Sequence, residues 1–157
     1  KTLFPYTTLF RSMHKEFYHL PKLFCSRRAK ENIFGLDVGF NYMLFSNMTV
    51  IFATNAELDI KYVMSLLHSK VLNFRYRSLG KQTGGGIFEY FPNEVEKFPI
   101  PEIDAKAQKP FIDLVDKILE TKKTGGETSE LEREIDVMVY KLYNLTQEEI
   151  DIVEGIK

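Results

Sequence analysis

The chain has 157 residues, of which 44% are apolar and 27% charged, and its net charge is −1. That length buries the core of one domain with an appendage, and the lack of any apolar run of about 18 residues argues against a transmembrane helix and a membrane partner. A single cysteine, Cys25, leaves no internal disulfide framework and fits a reducing cytoplasm.

The small net charge conceals two unlike halves. Residues 13–82 hold 10 Lys and Arg against 5 Asp and Glu, a balance of +5, whereas residues 83–157 hold 9 against 17, a balance of −8. A basic first part suits an anionic partner. The acidic remainder suits a solvated, structural element.

In chain order, residues 2–12 read TLFPYTTLFRS, which matches, residue for residue, the translation of a common short-read sequencing adapter. Residues 1–12 are therefore set aside as an artefact, and a native N-terminal part is expected to be missing. Residues 13–30 interleave aromatics with cations, and Pro21 disfavours one continuous helix through them. Arg27, Arg28 and Lys30 form a compact basic cluster, readable as phosphate contacts or as a solvated loop. Residues 33–46 (IFGLDVGFNYMLFS) place Gly35 and Gly39 at turn positions between apolar runs, as in a pair of short strands. Residues 48–54 (MTVIFAT) have the continuous β-branched content of a buried strand.

Residues 60–101 are the centre of the chain. Ile60, Val63, Met64, Leu67, Val71 and Phe74 recur at helical spacing and predict one long amphipathic helix, capped by Asn55 or Asp59. Arg75 and Arg77 lie in its last turn, where cations also complement the helix dipole. A loop follows with Lys81, Gln82 and Thr83 and then Gly84, Gly85 and Gly86. Gln and Arg are the side chains that read adenine and guanine edges, and consecutive glycines leave backbone N–H groups open to a phosphate. A floppy connection is the plain alternative. Residues 87–91 (IFEYF) predict a strand, and Pro92, Pro99 and Pro101 punctuate an extended exit.

The acidic third is helical. Phe111, Leu114, Val115, Ile118 and Leu119 form one stripe, Thr124-Gly125-Gly126 breaks it, and Leu131, Ile135, Met138, Val139 and Leu142 form a second. Ser129 with Glu132 and Thr146 with Glu149 have capping-box spacing. Two stripes joined by a short glycine turn bury each other as an antiparallel hairpin. The fold class expected is thus α/β (mixed α+β), with a small mixed sheet, a long packed helix and a C-terminal helical hairpin. The boundaries expected are a recognition part over 13–104 and a hairpin spacer over 105–157.

Catalytic patterns do not emerge. His14, His19 and His68 have no metal-ligand spacing with one another or with Cys25, and a small buried thiol suits Cys25 better than a nucleophile. The glycine run lacks the Lys-Ser/Thr of a P-loop, and GxGxxG is absent. Asp104-Ala105-Lys106 and Glu120-Thr121-Lys122 have the acid-x-Lys form of half a nuclease site, but each lies on exit or strut sequence, and such triplets are common. No NPPY-type run is present to position a flipped base.

The ordered set LLHSKVLNFRYRS, GGGIFEYFP, VEKFPIPEI, KPFIDLVDKILETKK and LEREIDVMVYKLYNLTQEEIDIVEG, over roughly residues 30–155, resembles the TaqI-like C-terminal specificity domain of type IIG restriction-modification enzymes and adenine-N6 DNA methyltransferases, and also type I specificity subunits. This chain has His68 where the family often has Asn before Ser69-Lys70. The resemblance implies a module that reads a short sequence in double-stranded DNA. An upstream region or subunit would use S-adenosylmethionine, and in some members Mg2+, to methylate or cut, so no cofactor is expected in this fragment itself. The contacts expected are Arg27, Arg28, Lys30, Arg75, Arg77, Lys81, Gln82, Thr83, Gly84, Gly85 and Gly86. A protein-interaction or subunit-docking module, such as part of a type I specificity subunit, is the alternative.

Overall fold

The computed structural model describes residues 20–39, 47–52 and 57–156. Residues 1–12, His14, His19, Asn55 and much of the predicted strand pair over 33–46 lie outside them.

The chain from residue 22 forms strands β1 (Lys22–Ser26), β2 (Arg28–Ala29), β3 (Gly35–Asp37) and β4 (Met48–Phe52). After these come helices α1 (Ile60–His68) and α2 (Lys70–Leu79), strands β5 (Gln82–Gly84) and β6 (Ile87–Glu89), and helices α3 (Pro92–Val95), α4 (Ala105–Lys123), α5 (Ser129–Leu142) and α6 (Gln147–Glu154). The α/β class expected from the sequence holds. The small mixed sheet resolves into two three-stranded sheets, β3-β1-β4 and β2-β6-β5, in which every pairing is antiparallel among the described residues.

The first sheet is centred on β1. Leu23, Cys25 and Ile51 turn inward from it by strand alternation. Lys22 is also buried, where it pairs with Asp37 across the β1–β3 register at 2.8 Å and donates to the Gly39 carbonyl at 3.0 Å. A buried cation is tolerable only when it is paired and hydrogen-bonded in this way. At Arg27 the chain leaves this sheet for the second. Its N–H donates to Asn47 O at 3.1 Å, and its carbonyl accepts from Tyr90 N at 2.8 Å.

The single long helix expected over residues 60–77 is two helices, broken at Ser69. Ser69 is extended (φ −64°, ψ 152°), and its hydroxyl donates to Leu66 O at 2.6 Å and accepts from Leu72 N at 3.3 Å. One side chain thereby satisfies a terminal carbonyl of α1 and a terminal N–H of α2. The break also resets the helical phase. Leu72 and Tyr76 are buried beyond it, whereas Phe74, placed on the inward face by the sequence pattern, is 41% exposed.

Asp59 caps α1 as expected, accepting from Lys61 N at 2.7 Å. Helix α4 docks along α1 through Phe111, whose ring meets Tyr62 edge-on at 5.4 Å, and through the buried Gln108. Gln108 accepts from Asp59 N (2.8 Å) and donates to Glu57 O (2.7 Å) and Ile103 O (2.9 Å), so no polar atom of its amide is left bare. Leu114, Val115, Ile135 and Val139 of the helical hairpin join Leu23, Val63, Leu66 and Leu72 in one hydrophobic core.

Two of the capping expectations separate here. Thr146 and Glu149 form the expected reciprocal box at the start of α6. Ser129 and Glu132 do not. Thr128 is the N-cap of α5, Ser129 Oγ donates to Glu127, and Glu132 accepts from Thr128 Oγ1 at 2.8 Å instead. The turn between α4 and α5 is a glycine cap: Gly125 is left-handed (φ +73°), and Gly126 N donates to Thr121 O at 2.9 Å.

Candidate nucleic-acid interface

The glycine-rich segment expected as a loop is a β-hairpin. Gln82 pairs with Phe88 and Gly84 with Ile87, with a bulge at Thr83 between the two registers. Gly85 and Gly86 make the two-residue connection with φ of +61° and +73°, the backbone of a type I′ turn. The loop reading failed because Gly-rich sequence has little strand preference of its own. The aromatic strand β6, held by the core, supplies the ladder that orders it.

This second sheet unites two clusters that stand about fifty residues apart in sequence. Strand β2 borders one side of β6 and β5 the other, so Arg28 and Lys30 flank the ribbon opposite Lys81, Gln82 and Thr83. Lys30, Gln82, Thr83, Gly84 and Gly85 are exposed and Gly86 partly so. Thr83 Oγ1 donates to Ile87 O at 3.3 Å, a contact across the bulge. Arg27 points elsewhere. It is half-buried, its guanidinium lies 5.6 Å from the Phe91 ring centroid, and it serves to turn the chain between sheets.

Glu89 is the residue the sequence reading passed over. Its carboxylate is 8% exposed, with Lys81 Nζ at 2.7 Å on one side and Arg28 Nη2 at 3.8 Å on the other. A lone acid within the aromatic run IFEYF was the available signal, since a strand buries such a side chain only against a cation. The backbone of Glu89 is fixed as well: its N–H donates to Lys81 O at 2.9 Å, and its carbonyl accepts from the Tyr76 hydroxyl. Tyr76 stacks on Tyr90 at 4.6 Å and on Phe98 at 4.9 Å, which packs α2 against the segment that follows β6.

Arg75 and Arg77 sit on either side of Tyr76 and are both exposed. Two residues apart on a helix, they diverge by roughly 200°. Arg77 shares a shallow depression with Lys70, Asn73 and Ser78, while Arg75 acts electrostatically on Tyr143. They therefore belong to two flanks of α2 and not to one patch.

A larger cleft of about 840 Å³ lies between the 31–36 segment, α1, α4 and α5. His68 opens onto it, with Nε2 2.9 Å from Phe34 O and its ring edge-on to Phe34 at 6.0 Å. The His-for-Asn departure noted in the sequence thus lies against backbone packing. Cys25 is a buried thiol, its pKa pushed up to about 12 by burial. The glycines of the hairpin form an exposed turn between two strands. No group of three or more His, Cys, Asp or Glu able to hold a metal ion occurs among the described residues.

The described residues thus present a polar, cation-flanked hairpin at one edge of a helix-and-sheet scaffold. The chain belongs to the family of TaqI-like C-terminal specificity domains, whose family model matches residues 5–100. Helices α4, α5 and α6 lie beyond that span. A search of the curated proteins returned no match. Among the described residues no helix is long and apolar enough to cross a membrane.

Proposed function

We propose that the chain is the sequence-specific DNA-recognition module of a cytoplasmic restriction-modification enzyme that serves in phage defence. In this reading a partner region or subunit, using S-adenosylmethionine, methylates adenine, with or without cleavage. Gln82 and Thr83 on the β5–β6 ribbon read bases, and Arg28, Lys30, Lys81, Arg77 and the open N–H groups of Gly84, Gly85 and Gly86 hold phosphates. The helical hairpin over 105–157 is the spacer that sets the module against its catalytic part.

The observation that carries this is the ribbon itself. A two-stranded ribbon fits the major groove of B-DNA, about 12 Å wide, and here the β5–β6 hairpin exposes Gln82 and Thr83 on its edge strand, next to Lys81 and across β6 from Arg28. Membership in a specificity-domain family supports the same partner.

The test is selection of duplexes from a randomised pool by the full chain. A short motif should be enriched, and Gln82→Ala should weaken binding to it by about 1–3 kcal/mol while relaxing one position of the motif. Lys30→Ala should weaken all duplexes alike and flatten the salt dependence. No enrichment over successive rounds, or the same motif and affinity in a Gln82→Ala/Thr83→Ala variant, would overturn the reading.

A further inference from the structure

We infer that Glu89 is an electrostatic gate on the DNA-facing sheet, a positioning residue that suppresses binding to non-target duplexes by holding Arg28 and Lys81. The inference rests on the DNA-recognition reading above and adds to it how that surface is regulated.

The geometry is asymmetric. The Glu89 side chain is only 8% exposed, whereas those of Lys81 and Arg28 are 66% and 65% exposed. The anion cannot reach solvent, but both cations can. Glu89 is fixed in place by its own ladder bonds and by the Tyr76 hydroxyl on its carbonyl, so it has no route outward. A phosphate that recruits Lys81 or Arg28 must therefore leave a buried carboxylate short of its counter-charge, which is an unfavourable exchange. Random duplex offers only phosphates and cannot offset that exchange. Target duplex adds base contacts at Gln82 and Thr83, on the strand adjoining β6, and can.

A carboxylate without this role has a simpler assignment: it neutralises two surface cations for the stability of the free chain. The two assignments differ in how Glu89 and Lys81 couple during DNA binding. If Glu89 gates the cations, Lys81 contributes little to random-duplex binding while Glu89 is charged and much once it is not.

The experiment is a double-mutant cycle on the full chain with Glu89→Gln and Lys81→Gln, measured against a random-sequence duplex and the duplex selected above, over a salt series. Expected for Glu89→Gln is random-duplex affinity raised on the order of tenfold, a log–log salt slope steeper by about 1–2, and a lower ratio of target to random affinity. Lys81→Gln should change random-duplex affinity less than about twofold in the parent chain and on the order of fivefold to tenfold in the Glu89→Gln chain. Additive effects, or an unchanged slope in Glu89→Gln, overturn the gate while leaving the recognition reading intact. A parent chain that binds no duplex overturns the recognition reading first. Glu89→Asp keeps the charge but withdraws it by one methylene from Lys81. It should shift the slope and the ratio in the same direction by less, and it decides the question in the event that Glu89→Gln does not fold.

Discussion

The Asp136 carboxylate of α5 accepts a hydrogen bond from the backbone N–H of Lys70, the first residue of α2, at 2.8 Å. With Ser69 Oγ on Leu72 N, it completes the N-terminal cap of a helix whose own sequence supplies no acid in its first turn. The helical hairpin is thus structurally part of the scaffold that aims α2. Lys70 Nζ reaches on to Glu154 Oε2 at 2.5 Å, and Glu154 Oε1 accepts from Tyr140 Oη, so α6 is tied to the same point.

Replacing Asp136 by Ala should lower stability by about 1–2 kcal/mol, because a helix-terminal N–H loses its partner in a buried setting. Burial raises the Asp136 pKa above its ordinary 3.8, against the opposing pull of the Lys70 N–H. The native chain therefore binds this proton more tightly than the unfolded chain, so the contribution of Asp136 to stability falls as pH rises from 3.8 through the native pKa. Asp136→Asn keeps an acceptor oxygen and removes the titration. Urea unfolding of both chains across pH 4 to about 7 should show the decline in the parent and a flatter profile in Asp136→Asn.

Ser69→Ala should cost about 1 kcal/mol, since the hydroxyl serves two helix ends at once. Amide hydrogen exchange should localise the loss to the 66–72 junction. A chain of unchanged stability would mean that α1 and α2 fuse into one helix when the serine is gone.

In the hairpin turn, Gly85→Ala should destabilise by about 1–2 kcal/mol through backbone strain alone, because φ is +61° and a Cβ there would meet nothing within 4 Å. Gly85→Asn should be close to neutral, since Asn tolerates the left-handed region. Thermal unfolding of the two variants separates conformational strain from crowding: if both lose equally, a steric cause is indicated.

Tyr76→Phe keeps the stacking on Tyr90 and Phe98 and deletes only the hydroxyl that meets Glu89 O. Its cost should be about 1 kcal/mol. Tyr76→Ala should cost about 3–5 kcal/mol and uncouple α2 from the ribbon. Nuclear magnetic resonance of the Gln82 and Thr83 amides should register loosening in Tyr76→Ala and little change in Tyr76→Phe.

How far the sequence could be read depended on the range of the forces involved. Asp59, the Thr146–Glu149 box and the Thr124-Gly125-Gly126 stop are interactions closed within a few residues; the sequence showed the last two and offered Asp59 beside Asn55 as the cap of α1. The helical phase after Ser69 could not be read, because LLHSKV runs through the break without a change of period. Ser69 Oγ caps both helices at the break, and Asp136, 66 residues away, adds the partner for Lys70 N. The candidate site divides in the same way. Its residue types were visible as two basic clusters and a glycine run, but their union across β2-β6-β5 was not.

From sequence alone came the α/β class, the helical stripes, the family and the chemistry on offer at residues 81–86, because these rest on periodicity, local capping and residue type. The tertiary structure decided which cations stand together, that Gln82–Gly84 pairs as a strand with Gly85 and Gly86 as its turn, and that Glu89 occupies the space between Arg28 and Lys81. The reason is physical: strand pairing and ion pairing join residues by distance in space, and a buried carboxylate draws its partners from whichever neighbours the sheet provides.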